Sequence, residues 1–520
     1  MKAIAVLTTA LLLASVMMEA VLRTVDAAVS DGLGTRVGAV DQAREIVKDA
    51  EDSLPGEAGA LGNKLIFGTK HACHVYGDIY KAFPNEQFVG FYELLRPNLL
   101  INDPQLIESI LVKDFSHFTN RVHINKDDAN PLFKSMFFMQ SEHWKSLRGR
   151  MVTSFSASKM KVMFTLMNKC ASSLDSVLSE KCQEDAVVIQ NIIERYATDA
   201  IGYCAFGLNF NALSEPESEF LKFGQSFFKN SLITSLMDIL RNVIPETYNW
   251  IKFLESRQKY VKFYYTLKQS DELRKSESSR RNDLLQLMFD FRDECQLKTQ
   301  KEKNYNGVIV DDVVVLANMI LIFAASFISA SSVLSYCLYE LALHPEIQRR
   351  LRDEVLSILK ANNGELTYDS LKQMKYAEMV ICETLRKDNS IPIIRRTCTS
   401  PYKLPGTDLI LNIGQPVAIP VYAIHNDEKY YPNPDRFDPE RFTPENIASR
   451  PSYTYIPFGD GPRMCIAMRF AKMQLKILLA RIISNYETYP CSKTEIPIKL
   501  HPRSMGSSPI NPIQLRIQKL

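Results

Sequence analysis

Cys465 lies in the segment Pro457-Phe458-Gly459-Asp460-Gly461-Pro462-Arg463-Met464-Cys465-Ile466-Ala467. Gly459 and Gly461 permit a tight backbone around a flat object. Arg463 supplies a planar, permanent cation suited to a carboxylate. A long amphipathic helix is expected to begin beside Cys465, and the free N–H groups at a helix start favour thiolate over thiol. Ala467 is small, which lets that helix approach a ring closely. A thiolate in a Gly-lined loop with an arginine nearby suits the axial position of a haem iron. The competing reading is a buried structural cysteine in a turn, the usual fate of a lone cysteine.

Three further groupings carry potential chemistry. Glu383-Thr-Leu-Arg386 places acid and base at i,i+3 on one helical face. Alone, such a pair is a surface feature worth about a few tenths of a kcal/mol. Arg441, in the turn-rich Pro439-Glu-Arg441-Phe442, can join that pair if it is buried; otherwise it is a solvated turn arginine. Trp144 and Arg148 stand at i,i+4, so an indole and a guanidinium can meet one ligand edge together. The chain has only two tryptophans, and a core role is the alternative for Trp144.

These residues need elements to position them. Residues 313–339 carry no formal charge, and hydropathy alone would make them a membrane helix. Asn318, Ser326, Ser329, Ser331, Ser332 and Ser335 interrupt them, and charged amphipathic sequence flanks both sides. A buried helix through the middle of a large domain fits better, with a site on it, because interior polar groups must be hydrogen-bonded. Apolar residues recur at helical spacing over residues 141–155, 194–206, 344–359 and 467–485. Short β-like runs fall at residues 87–92, 98–101, 402–404 and 416–419. Proline-rich turns fill residues 432–444. Residues 275–306 are largely polar and are expected to contain an exposed loop. The fold class is mainly α with a small β part.

Whole-chain arithmetic narrows the rest. A length of 520 residues suggests three or four domains as a soft prior. Hydrophobic residues are 46% and charged residues 23%, ordinary for a globular protein, with no repeat period. A formal net charge of +3 offers no strong basic field for nucleic acid. The ten cysteines never form C-x-x-C, which argues against a zinc ribbon or thioredoxin-like site, and ten in 520 residues is too thin for a disulfide scaffold, although the even count leaves room for some bridges. Residues 1–25 form an apolar anchor or a cleaved signal, and either reading sends the chain to the secretory membrane system.

In this order, from Trp144/Arg148 through the uncharged helix, Glu383/Arg386 and Arg441 to the loop of Phe458–Cys465, the sequence resembles the cytochrome P450 family of haem-thiolate monooxygenases. Residues 109–118 and 155–164 look like insect microsomal members that handle xenobiotics. The resemblance implies one large domain over residues 64–520 around a buried haem, behind a linker of residues 26–63 that lacks the usual Pro-rich hinge. It implies that Cys465 is the proximal thiolate ligand to the iron, with Phe458 and Gly461 shaping its loop. Arg463, Trp144, Arg148 and Arg396 would hold the haem propionates. Glu383, Arg386 and Arg441 would form a buried structural triad. Electrons would come from an NADPH-dependent cytochrome P450 reductase, and cytochrome b5 is a further expected partner. Lys145, Arg469, Lys472 and Lys476 either form a docking face or are simply solvated. The expected place is the endoplasmic reticulum membrane, with the catalytic domain cytosolic.

Three departures from the family pattern stand out. Ala325-Ser326-Phe327-Ile328-Ser329 replaces the usual Ala-Gly-x-(Asp/Glu)-Thr. Ser326 stands for the glycine that lets the helix open, and it can bend the helix by bonding back to a carbonyl. Ser329 keeps a hydroxyl, whereas Ile328 cannot relay a proton. Ser329 and Ser326 are thus the expected catalytic hydroxyls, and reduced coupling is expected. The alternatives are a haem-thiolate enzyme that needs no dioxygen, or a haem- and ligand-binding protein with impaired catalysis. Lys387-Asp-Asn-Ser390 replaces an apolar residue followed by Tyr/His-Pro-Pro, and Ala467 replaces a glycine. Residues 121–138, 220–239, 321–325, 391–394 and 505–509 are the expected substrate contacts, and their apolar character implies a lipophilic small molecule.

Overall fold

A computed structural model describes residues 70–93, 96–122, 130–227, 258–276, 281–301, 309–504 and 506–520. The anchor and linker expected over residues 1–63 lie outside the described residues. Helices form where apolar residues recur at three- and four-residue spacing. In chain order they are α1 (Ala72–Ala82), α2 (Pro104–Glu108), α3 (Ser141–Met151), α4 (Ala157–Lys181), α5 (Ile189–Ile201), α6 (Glu219–Ser226) and α7 (Gln258–Ser276). Then follow α8 (Leu284–Lys301), α9 (Asp312–Leu343), α10 (Pro345–Ala361), α11 (Lys375–Lys387), α12 (Val421–His425), α13 (Pro444–Ser449) and α14 (Met468–Asn485). Several begin on side-chain caps: Asp103, Asp311 and Thr443 accept from the N–H groups of Gln105, Val314 and Asn446.

The strands group by long-range pairing. One sheet has the order β1 (Phe88–Glu93), β2 (Arg96–Ile101), β7 (Pro416–Ile419), β4 (Ile394–Thr397). Within it Leu99 pairs in parallel with Val417, and Arg396 pairs antiparallel with Val417. That register fixes where the Arg396 backbone lies. A second sheet has the order β3 (Val187–Val188), β9 (Gln514–Lys519), β8 (Tyr486–Pro490), so the last strand in the chain is the central one. A two-stranded ribbon joins β5 (Tyr402–Lys403) to β6 (Ile410–Leu411).

The uncharged stretch is α9. By length and composition it could cross a membrane, yet Ile320, Phe323, Phe327 and Leu334 are fully buried within the protein. Phenylalanines weld it to the helices above. Phe323 and Phe327 stack at 6.0 Å, while Phe206, Phe210, Phe223 and Phe263 all lie within 6.5 Å of the Phe323 ring. Gly224 of α6 touches the Phe327 ring so closely that an added Cβ would sit 2.7 Å from it.

Within residues 275–306, expected to contain an exposed loop, Arg281 and Asn282 are exposed outside any helix, but most of the stretch is helical. Helix α8 forms there because Leu284, Leu285, Met288, Phe289 and Cys295 make a buried stripe at helical spacing. The surrounding charge masks that stripe in composition. The expected helix at residues 194–206 begins earlier, at Ile189, and ends in a π-turn, Gly202–Phe206.

Candidate functional site

The cysteine loop is built by close backbone approach. Gly461 has φ +70°, and a Cβ there would lie 1.9 Å from the Leu111 carbonyl oxygen. Only glycine fits such a contact. Asp460 accepts from the Gly461 N–H, and the Cys465 N–H donates to the Phe458 carbonyl at 3.0 Å. Helix α14 starts at Met468, just beyond. Phe458 packs partly buried against the core, with the Lys472 ammonium 6.0 Å from its ring centre.

Cys465 is a poor thiolate by itself. Burial pushes its thiol up, against the opposing pull of the Ala467 N–H and the Arg121 and Arg148 guanidinium groups. The helix start therefore does not win alone. A coordinating metal would deprotonate the sulfur outright.

Arg463, expected beside a ligand, is almost wholly buried. It donates to the carbonyls of Thr119 at 2.9 Å, Met136 at 3.1 Å and Met139 at 2.7 Å, and its guanidinium lies 4.1 Å over the Trp144 ring. Arg148 donates to the Met464 carbonyl at 2.8 Å and lies 5.9 Å from the same ring. Arg396 donates to the Arg395 carbonyl at 2.8 Å. Arg121, a member that sequence reasoning placed only among substrate contacts, donates to the Arg463 carbonyl at 2.6 Å and covers the Phe137 ring at 4.1 Å. Its tie to Arg463 spans the chain, so no local pattern could have revealed it.

None of these four arginines pairs with a carboxylate among the described residues. Burial, then the neighbouring guanidinium groups, push Arg463 down to about 8; burial and Arg121 push Arg396 down to about 9. The buried Nε atoms of Arg396 and Trp144 lack a partner. Four crowded cations with unpaired donors form a cradle for a dianion. A haem carries two carboxylates, and the donors present fit them.

Helix α9 offers the matching face. Beyond its exposed first turn, Ala325 is the exposed residue of α9 and Leu321, Ser326, Ile328 and Ser329 are half-buried, so open space adjoins its middle turns. The Ser329 hydroxyl donates back to the Ala325 carbonyl at 2.7 Å. The Ser326 hydroxyl is buried without a partner. The back-bond expected of Ser326 is therefore made by Ser329, and by Ser331 and Ser335 further along. Residues 135–139 bridge this helix to the cysteine loop: the Met136 N–H donates to Asn318 Oδ1 at 2.8 Å while its carbonyl accepts from Arg463.

The triad lies apart from these donors. Glu383 and Arg386 are fully buried and joined by two hydrogen bonds of 2.7 and 2.8 Å. Arg441 Nε stands 3.4 Å from Glu383 Oε1 without an aligned hydrogen bond. Arg386 also donates to the His425 and Pro434 carbonyls, which ties α11 to the turns before α13. Of the four basic residues considered for docking, Lys472 and Lys476 both pair with Glu378, at 2.6 and 3.0 Å. Lys145 and Arg469 remain exposed.

A fold of this kind, a thiol in a glycine-built loop beside a cradle of arginines, defines a haem-thiolate class. A profile of the family described as Cytochrome P450 matches residues 55–517. The chain belongs to the cytochrome P450 family. It is 36% identical over 468 residues to Cytochrome P450 6a2 of Drosophila melanogaster, covering 88% of this chain and 92% of that relative. It is 36% identical over 450 residues to Cytochrome P450 6k1 of Blattella germanica, covering 82% and 83%. Probable cytochrome P450 6a13 of Drosophila melanogaster is likewise 36% identical, over 467 residues, covering 89% and 91%. The protein is thus a haem-binding monooxygenase that acts on a small molecule and draws on a redox partner.

Proposed function

We propose that this monooxygenase inserts one oxygen atom of dioxygen into a lipophilic small molecule, a xenobiotic or an endogenous lipid or hormone. Its electrons come from NADPH through a flavoprotein reductase, with cytochrome b5 as a second partner. Residues 1–25 anchor it to the endoplasmic reticulum membrane, and residues 64–520 form the cytosolic catalytic domain. The observation that carries the reading is a cradle of arginines without carboxylates, Arg463 and Arg396 buried and Arg121 and Arg148 half-buried, beside the half-buried thiol of Cys465.

In this reading the Cys465 sulfur would hold the iron, and Arg463, Arg148, Arg396 and Trp144, joined by Arg121, would hold the two haem carboxylates. Phe458 and Gly461 shape the loop that presents the sulfur. A haem so held supplies oxygen activation, which a thiolate ligand favours by electron donation. The remaining work falls to side chains. Ser329 keeps its hydroxyl oriented through the Ala325 carbonyl and holds a proton at Oγ. Ser326, whose hydroxyl is buried with no internal partner, keeps a donor that an enclosed water could take. Ile328 excludes water where the family carries an acid, so the serine hydroxyls are the only groups of the Ala325–Ser329 segment that can pass a proton. Glu383, Arg386 and Arg441 hold structure and do no chemistry. The half-buried Leu321, Phe137, Phe138, Ile393 and Ile394 make an apolar surround that suits a lipophile.

The test is the reduced, carbon-monoxide difference spectrum of the expressed protein. A red-shifted thiolate Soret band is expected. Its disappearance in Cys465→Ala, with haem still bound, establishes the ligand; a band unaffected by that change overturns the assignment.

A further inference from the structure

Asn318 is one of the polar side chains that interrupt α9, and the chemistry proposed above leaves it unused. It is fully buried. Asparagine is a poor helix former, and its amide, once out of water, must find hydrogen-bond partners. Both arms are satisfied, by different parts of the chain. Nδ2 donates to the Val314 carbonyl at 2.7 Å, one turn back along the helix. Oδ1 accepts from the Met136 N–H at 2.8 Å. A carbonyl can only accept and a main-chain N–H can only donate, so these two partners fix the amide in one orientation.

The segment held by Oδ1 is a tight turn. The N–H groups of Phe138 and Met139 donate to the Ser135 carbonyl at 3.0 and 2.8 Å, and Ser135 is fully buried. The turn gathers the carbonyls of Met136 and Met139 onto the Arg463 guanidinium, at 3.1 and 2.7 Å. Arg121 spans the same two segments, donating to the Phe137 carbonyl at 3.2 Å and to the Arg463 carbonyl at 2.6 Å. Met136 therefore gives its N–H to α9 and its carbonyl to the cysteine loop. With carbonyls as its partners, the Arg463 guanidinium lies where this turn places it.

The place of Asn318 along the helix matters too. Leu321 and Ala325 follow it at i+3 and i+7, spacings that share one helical face. Leu321 is half-buried and Ala325 exposed, so Asn318 stands in line with the open turns. The turn at residues 135–139 is thus fixed to α9 on the face that carries the open space.

We propose that Asn318 is a positioning residue for the cofactor: it holds the turn at residues 135–139, the turn holds Arg463, and α9 thereby sets where that arginine meets a haem carboxylate. That Arg463 meets a haem carboxylate rests on the function proposed above; the chain of hydrogen bonds from Asn318 through Met136 to Arg463 does not.

Three variants of the holoenzyme test it. In Asn318→Ser the hydroxyl is expected to keep a bond to the Val314 carbonyl, as Ser329, Ser331 and Ser335 do to the carbonyls four residues back, but it is too short to reach Met136. Asn318→Asp has the same shape and keeps an acceptor for the Met136 N–H. Ser335→Ala removes a buried hydroxyl elsewhere on α9 and controls for a general loosening of the helix. Hydrogen–deuterium exchange over residues 136–139 should rise by about tenfold in Asn318→Ser, and haem transfer to apomyoglobin should speed up by about three- to tenfold. Both rates should stay within about twofold of wild type in Asn318→Asp and in Ser335→Ala. Unmoved exchange in Asn318→Ser overturns the proposal, and so does raised exchange with haem transfer at the wild-type rate. Haem transfer raised equally in Ser335→Ala, or left high in Asn318→Asp, also overturns it. If wild type gives the thiolate carbon-monoxide band while the Asn318→Ser rates fail to move, the positioning residue is wrong and the enzyme reading stands. Moved rates with that band missing give the reverse.

Discussion

At the scale of residues, the cradle is a set of cations kept in a dry place with only carbonyls for company. Carbonyls satisfy N–H groups but do not neutralise charge, which is why burial and mutual repulsion lower Arg463 and Arg396. Asp388 presents the mirror case among the acids. Its ordinary value is about 3.9, and it is raised to about 7 in the fold. A raised carboxyl favours the folded state while protonated, so that contribution is complete at low pH and is lost as pH climbs from about 4 through about 7. Asp388→Asn should therefore gain stability over wild type across that window and hold a constant advantage above it, about 1–3 kcal/mol. Thermal unfolding of both proteins from about pH 5 to about pH 8 measures it; parallel curves would exclude the effect. The residue identities that sequence could read were local ones. Gly461, Arg463 and Cys465 announce each other within a few positions, as do Trp144 and Arg148. Arg121 stays hidden, because it acquires its meaning from Arg463, a partner that only the fold brings near.

At the scale of elements, α9 does three things at once: it fills the core, carries the serine hydroxyls of its open turns and, through the Tyr336 hydroxyl, holds the Ser507 carbonyl. Its apolar pattern made it readable as a long helix, and its serines marked it as more than packing. What the pattern could not disclose is which serine bonds where. Ser329 is back-bonded and Ser326 is not, a distinction set by the neighbours of each hydroxyl rather than by spacing. Helix α8 failed to register for the opposite reason, since its buried stripe lies among charges that form ion pairs such as Arg292 with Asp271 and Asp312. The prediction at this scale concerns Ile328. Replacing it with glutamate restores a side chain able to relay a proton, so Ile328→Glu should raise the product formed per NADPH consumed by about two- to tenfold, within the usual reach of one proton-transfer group. An unchanged ratio, with peroxide release unchanged, would remove Ile328 from the account.

At the scale of the whole molecule, a near-neutral formal charge conceals an uneven surface around the cysteine loop. Lys472 and Lys476 are spent on Glu378, leaving Lys145 and Arg469 exposed. Reversing either exposed charge, as in Lys145→Glu or Arg469→Glu, should slow reduction by the flavoprotein partner several-fold at low salt and much less at high salt, as expected for steering. Stopped-flow reduction at two ionic strengths decides it, and equal rates for variant and wild type would move docking elsewhere. Fold class was legible from helical periodicity and scattered β-like runs, but sheet order was not, because β2 meets β7 and β3 meets β9 across most of the chain. That last pairing has a consequence for biosynthesis. Since β9 is the central strand, neither β3 nor β8 has its partner until residues 514–519 leave the ribosomal tunnel. Val187 and its neighbours must wait, with exposed backbone, while all the chain between β3 and β9 is made, whereas Tyr486 waits only for the short stretch between β8 and β9. Closure of this sheet thus waits for β9, and the interval before it is when a chaperone would be most needed.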